Sequence, residues 1–415
     1  MPAASQVLEH LRRTAPEPGM VLPDYDGYFT GHVSQLIWRN FGIPDRAPEC
    51  MQGLLDRSYR RVVLLILDAF GWNLLQAWKD ELPSLQRLCE RASVLPLTTT
   101  FPSTTTVALT AIYTGLTPAE HTITGHYVFL REAGGIVDVL RFSPMHDPRR
   151  EVYAERGVDV HDWFPMYTVF EPLKKRGLKA LSITRGIFTN TALGWLHHVG
   201  ADVVGYLTGA DMVTRLCRSL RDDPRDGLTV VYWDVVDMLS HEYGPFSREV
   251  RSAIDQVFYS LEREVFDGLS AAEREDTLLL MTADHGQIDC PAADGTYLAE
   301  HPDLCRQLML PPTGQSRAAY LYAHQGDSAE LEAAMRHFED RFIVRRSEDV
   351  LQAGLFGPAE HAHRIRQRVG DVIAIGRGPY QLLGPEIVRG QVRMKGRHGS
   401  LTENEMLVPL LIAPL

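Results

Sequence analysis

Arg61-Val-Val-Leu-Leu-Ile-Leu-Asp68 decides the fold. Six aliphatic residues run without alternation and stop at a carboxylate. A strand with one wet face alternates polar and apolar residues. An unbroken run predicts a strand buried on both faces, as in a parallel sheet covered by helices. Leu228-Thr-Val-Val-Tyr-Trp-Asp234 and Thr277-Leu-Leu-Leu-Met-Thr-Ala-Asp284 repeat the pattern. Lys179-Ala-Leu-Ser-Ile-Thr184 and Asp371-Val-Ile-Ala-Ile375 repeat it more faintly. Helical spacing lies between these runs. It is seen after Gly71 in Trp72, Leu74, Leu75 and Trp78, and from Leu82 to Ala92, opened by Pro83-Ser84. In Ser247–Leu269, residues Val250, Ile254, Val257, Phe258 and Leu261 fall on one stripe. Strands alternating with helices predict an α/β fold, a doubly wound and mostly parallel sheet flanked by helices.

In open sheets of this kind ligands bind beyond the carboxyl ends of the strands. The three strongest runs lead into Asp68, Asp234 with Asp237 just beyond, and Asp284, so a site is expected there. Residues 127–175 and 290–390 are turn-rich and weakly periodic. They are predicted to be insertions or a cap within a single domain, 1–415.

Composition narrows the function classes. A hydrophobic fraction of 45% and a charged fraction of 23% are ordinary for a globular chain. The net charge of -11 speaks against binding bulk nucleic acid, which needs a basic footprint. It leaves a small phosphate ester open, because a bound cation supplies positive charge locally. Five cysteines, an odd number with no C-x-x-C spacing, predict neither a disulfide framework nor a thiolate metal site. The aliphatic run Val62–Leu67 is far too short to cross a bilayer. The first twenty residues are polar and broken by prolines, so no signal peptide and no membrane contact are expected, and the protein is expected to be cytoplasmic.

Residues able to carry chemistry cluster in a few segments. These are Leu65-Ile-Leu-Asp68-Ala-Phe-Gly71, the threonine-rich run Thr99–Thr106 leading to Tyr113-Thr-Gly115, Asp237-Met-Leu-Ser-His241, Asp284-His285-Gly286, and Gly396-Arg-His398-Gly399. Asp237 and His241 are four apart and share one side of a helical turn. Asp284 and His285 are adjacent and need a sharp turn to converge, which Gly286 is expected to provide. Three aspartates and three histidines without thiolate suit zinc or manganese in an open catalytic site. A pair of such metals clamps the attacking and leaving oxygens of a phosphoryl displacement. Taken singly, each piece has an ordinary explanation: aspartates at strand ends terminate turns, and threonine runs make strands and caps. The set, in this order and at strand ends, is what carries weight.

This ordered set resembles the alkaline-phosphatase superfamily. The stretch Gly115-Leu-Thr-Pro-Ala-Glu-His121, with Gly244-Pro245 after His241, resembles its nucleotide pyrophosphatase/phosphodiesterase branch. The likeness covers about residues 61–126, 228–290 and 391–412. It implies an alkaline-phosphatase-like core and two divalent metal ions, zinc with manganese as the alternative. One would be held by Asp237, His241 and His398, the other by Asp68, Asp284 and His285. It also implies a threonine nucleophile that passes through a phospho-threonine. Counting back ten residues from Gly115, the family spacing, gives Thr105, at what reads as a helix start; Thr100-Phe-Pro resembles the tripeptide of eukaryotic members and makes Thr100 the alternative. Where the branch carries an asparagine that donates to a phosphate oxygen, this chain has His126. Lys395 and Arg397, flanking His398, are candidates to reach a phosphate, against a plain reading as solvated cations. The expected activity is hydrolysis of a phosphodiester or pyrophosphate of a small molecule, a nucleotide among the candidates. A phosphomonoesterase on the same core and a catalytically idle metal-binding relative are the alternatives. A sulfatase or phosphomutase would require nucleophile segments that this sequence lacks.

Overall fold

The computed structural model describes residues 2–223, 225–324, 327–384 and 394–415. The last part of the expected 290–390 insertion, 385–390, and residues 391–393 of the late matching segment lie outside the described residues. The strands of the main sheet are β1 (Arg61–Leu67), β2 (Ser93–Thr98), β3 (Lys179–Arg185), β4 (Asp202–Tyr206), β5 (Gly227–Trp233), β6 (Thr277–Thr282) and β7 (Leu407–Pro414). Their spatial order is β2-β7-β6-β1-β5-β3-β4. The pairs from β6 through β4 are all parallel, and β7 alone runs against its two neighbours. Every residue of β1, β5 and β6 is buried, as unbroken aliphatic runs require. Helices flank the sheet, among them Gly209–Arg221 and Arg248–Leu261, the latter burying Val250, Ile254, Val257, Phe258 and Leu261. None of the described helices is long and apolar enough to cross a membrane.

Register places the site. Leu67 of β1 lies opposite Trp233 of β5, and Ile66 lies opposite Thr282 of β6. The three strands therefore finish level, and Asp68, Asp234 and Asp284 emerge along one edge. The Asp68 N–H donates to the Trp233 carbonyl at 2.9 Å, which extends the ladder one residue past the strand.

The two turn-rich regions meet. A second, wholly antiparallel sheet runs in the order Phe342–Arg346, Val372–Gly376, Ala318–Leu321, Thr313–Gln315, Tyr127–Leu130, Gly135–Asp138, Ser143–Pro144. The aliphatic run at 371–375 is thus a strand of this sheet and not of the parallel one. The strands of this sheet are only two to five residues long, and Tyr127–Leu130 alternates half-buried and buried positions, which explains the weak periodicity.

A buried ion pair ties the sheets together. Arg317, just before the strand Ala318–Leu321, donates Nε and Nη2 to the two carboxylate oxygens of Glu405, each at 2.7 Å, and neither side chain is exposed. Glu405 belongs to the short helix Glu403–Met406 that leads into β7. Arg317 Nη1 also donates to the Tyr380 carbonyl at 2.7 Å. Burial works against the guanidinium charge, and Glu405 more than offsets it. Removing one partner strands the other charge in the interior. Arg317→Met and Glu405→Gln are each expected to cost about 3–5 kcal/mol. Their double variant should cost less than the sum. Urea denaturation of the four proteins checks this, and fully additive losses would show that the two groups do not depend on each other.

Candidate active site

Thr105 is the first residue of the helix α1 (Thr105–Thr114), which follows Thr104 in extended conformation and ends at Gly115 in the left-handed region. Gly115 closes the helix because its φ of 71° suits a residue without Cβ. Asp237 and His241 lie in α2 (Val235–Tyr243), one turn apart, with Asp237 Oδ1 and His241 Nε2 separated by 3.3 Å. His398 Nε2 is 3.7 Å from the same Asp237 oxygen. His285 Nε2 lies 3.4 Å from Asp284 Oδ2 and 3.7 Å from Asp68 Oδ1. The rings of His285 and His398 stack with centroids 3.8 Å apart. The Thr105 hydroxyl is 3.0 Å from His285 Nε2.

The three histidines are held alike. Nδ1 of His241 faces the Gly396 carbonyl at 2.8 Å, that of His285 the Gly286 carbonyl at 3.1 Å, and that of His398 the Ser103 carbonyl at 2.9 Å. A carbonyl only accepts, so each Nδ1 carries a proton and Nε2 is the ring nitrogen left to serve as a ligand at the cluster. Second partners of this kind fix the tautomer of metal-binding histidines. The carboxylates are prepared in the same way. Asp284 Oδ1 accepts the N–H groups of Ala69 at 3.0 Å and His285 at 2.9 Å, and Asp68 Oδ2 accepts the Tyr232 hydroxyl. Asp68 Oδ1 and Asp284 Oδ2 are buried and accept no hydrogen bond from the described residues, with His285 Nε2 near both.

These are costly arrangements without a cation. Burial, followed by Asp284 and Asp237, pushes the Asp68 carboxyl well above the usual range, and burial raises Asp284 as well. Burial, followed by His285 and His241, pushes His398 well below the histidine range. Carboxylate oxygens without hydrogen-bond donors and imidazole Nε2 atoms brought to one place fit divalent metal. Among the described residues, two ligand groups have their atoms within 4.8 Å of one another: Asp237, His241 and His398, and Asp68, Asp237 and His285. The first is the trio expected from the sequence. The second contains Asp237 in the place expected for Asp284, so Asp237 reaches both.

Asp234 is not part of the cluster; its carboxylate pairs with Arg185 Nη1 at 2.8 Å. Thr100 is fully buried and its hydroxyl donates to the Pro102 carbonyl at 2.9 Å, whereas Thr105 lines the main cavity. That cavity holds about 590 Å³ and is also lined by His126, Arg141, Arg150, Asp237, His241, Arg397 and His398. Lys395 is exposed and does not line it. Its backbone braces the site, the N–H donating to His241 and the carbonyl accepting from Cys290. Arg397 is buried, which lowers its pKa to about 10, still cationic at neutral pH. Gly286 does not serve by a left-handed turn. A Cβ there would lie 2.1 Å from the Asn404 carbonyl oxygen, so glycine is needed for close backbone approach. Tyr232 and Gln287, which hydrogen-bond Asp68 and Asp237, were not anticipated. Gln287 directly follows the Asp284-His285-Gly286 motif, and that adjacency was the one available signal.

Residues 62–401 match the type I phosphodiesterase / nucleotide pyrophosphatase family. The chain belongs to that family. Like its other members, it is a hydrolase acting on phosphoester bonds. Solved structures with the same fold include human ectonucleotide pyrophosphatase/phosphodiesterase 5, at 20% identity over 85% of this chain and 88% of that one, TM-score 0.64. The murine protein, in an inactive threonine-to-alanine form in complex with AMP, matches at 17% identity over 86% and 88%, TM-score 0.64. Phosphonoacetate hydrolase from Sinorhizobium meliloti 1021, in complex with phosphonoformate, matches at 20% identity over 85% and 90%, TM-score 0.60.

Because Asp237 belongs to both ligand groups, Asp237→Ala is expected to lose more bound metal than His241→Ala. Metal per chain, measured by inductively coupled plasma mass spectrometry on the desalted protein, checks this. Equal losses would confine Asp237 to one group.

Proposed function

We propose that the protein is a two-metal phosphodiesterase or nucleotide pyrophosphatase with Thr105 as nucleophile. The observation that carries this reading is the Thr105 hydroxyl at a helix start, 3.0 Å from His285 Nε2 and lining one cavity with Asp237, His241 and His398. Asp237, His241 and His398 would hold one cation, and Asp68, Asp284 and His285 the other, with Asp237 close to both. Zinc suits this nitrogen and oxygen set, and manganese is the alternative. Bound divalent cations supply the positive charge that favours an alkoxide and offsets charge on phosphoryl oxygens.

The chain's own residues account for the remaining steps. The substrate phosphoryl group sits at the amino end of α1, where the helix dipole favours an anion. Thr105 Oγ gives up its proton to solvent and attacks phosphorus, the bond from phosphorus to the leaving oxygen breaks, that oxygen takes a proton from solvent, and the phosphoryl group is carried on Thr105. Water then attacks phosphorus, the Thr105 oxygen departs, and a phosphomonoester is released. His126 and Arg397 line the cavity where phosphoryl oxygens lie and are positioned to donate to them. The murine neighbour's complex with AMP supports a nucleotide-type ligand for this cavity.

A phosphomonoesterase is the second reading, favoured by one feature: a dianionic monoester needs more positive charge, and Arg141 and Arg150 line the same cavity. Turnover of bis-p-nitrophenyl phosphate and p-nitrophenyl phosphate by metal-loaded protein separates the two, with faster diester cleavage expected. Thr105→Ala is expected to lower turnover by roughly 10³-fold or more while retaining metal. Thr100→Ala should keep most activity. Full activity in Thr105→Ala with loss in Thr100→Ala would move the nucleophile to Thr100.

A further inference from the structure

The main cavity extends past the ligand cluster to a wall built by the segment 138–150. Asp138 closes the strand Gly135–Asp138 and is almost fully buried. Its Oδ1 accepts the Arg141 N–H at 2.9 Å and lies 3.4 Å from His126 Nε2, while Oδ2 lies 3.6 Å from Arg141 Nε. Burial pushes the Asp138 carboxyl up, and His126 and Arg141 outweigh it, so the group lies below the usual carboxylate value and holds both neighbours in place. Arg141 is held through Nε, which leaves its two terminal amino groups without a protein acceptor among the described residues. Arg150 donates Nη2 to the Leu140 carbonyl at 3.1 Å, and no carboxylate lies within ion-pair distance of it among the described residues. Asp147 lines the same wall, but Arg149 occupies both of its oxygens. The wall is therefore cationic in a chain of net charge -11.

A simple diester carries one negative charge, at the phosphorus bound beside Thr105. Two further guanidinium groups have no work to do for such a substrate. We propose that Arg141 and Arg150 bind a second anionic group of the substrate, a phosphate or a carboxylate beyond the scissile bond. The inference rests on the phosphodiester reading and adds to it the two side chains that would receive a charged group beyond the scissile bond. Guanidinium forks suit either anion. Asp138 acts as a positioning residue for Arg141.

Binding separates this inference from the reading on which it rests. Metal-loaded Thr105→Ala protein would be titrated by calorimetry with bis-p-nitrophenyl phosphate, bis(4-carboxyphenyl) phosphate and ATP, alone and with Arg141→Ala, Arg150→Ala or Arg150→Lys added. The two alanine variants are expected to raise Kd for the charged ligands by roughly tenfold relative to the nitrophenyl diester. Arg150→Lys should recover part of the loss. A shift confined to ATP assigns a phosphate, and one confined to the carboxyphenyl diester assigns a carboxylate. Equal shifts for all three ligands, or none, overturn the proposal. Wild-type protein that fails to turn over bis-p-nitrophenyl phosphate would sink the diesterase reading and leave the Kd comparison standing.

Discussion

Arg317 and Glu405 meet without solvent, and much of the catalytic end hangs from that contact. Glu405 Oε1 also accepts the Ser400 N–H at 3.0 Å, and its backbone carbonyl accepts the Gly286 N–H at 2.9 Å. Ser400 lies two residues after His398, and Gly286 one after His285. The Ser400 carbonyl accepts the Ser103 hydroxyl at 2.8 Å, and the Ser103 carbonyl faces His398 Nδ1. Thus one ion pair fixes the antiparallel sheet against the main one, two histidine-bearing turns against each other, and the segment that starts α1. A charge pair of this kind adds little net stability over apolar packing. Its directional bonds set relative positions that apolar packing leaves loose.

The ligand cluster pulls the other way. Asp68 and Asp284 are fully buried near Asp237, and their orphaned oxygens face one another's charge. Such a cluster destabilises the empty protein, and the same electrostatics become favourable once cations are held. Metal binding to the folded chain would thereby be coupled to its stability. The frame around Arg317 holds the repelling groups in place in the meantime. Ala69, with φ of 60° directly after Asp68, is part of the same strain, since its N–H is aimed at Asp284 Oδ1.

What was legible in the sequence follows from which forces are local. Burial on both faces of β1, β5 and β6 is written in consecutive residues, so these strands and the edge at Asp68, Asp234 and Asp284 could be read directly. The one-turn spacing of Asp237 and His241 is equally local. β7 escaped notice because Pro409 and Pro414 interrupt its pattern and its antiparallel pairing is set by distant partners. The second sheet escaped for a related reason. Its strands are short, and the contact between Tyr127 and Gly314 joins segments nearly two hundred residues apart. Gly286 was read as a turn when its need is space beside Asn404, which only the tertiary structure reveals. Tyr232 belongs to an aliphatic strand and gave no sign that its hydroxyl meets Asp68 across the strand end.

The cavity joins two surfaces of opposite charge. Carboxylates dominate the ligand cluster, and guanidinium groups dominate the wall at 141–150. An anionic substrate is repelled by the first until cations are held there, whereas the second attracts it in either state. In a molecule of net charge -11, a cationic lining inside a cavity concentrates the local field that draws an anion inward. The metal-free protein would therefore retain an anion, if anywhere in this cavity, at the wall and away from Thr105. On the proposed reading, cations held by the ligand residues would change that end from repelling to attracting and favour a phosphoryl group beside Thr105. On that reading the charge pattern would make productive binding conditional on the metal while leaving initial capture independent of it.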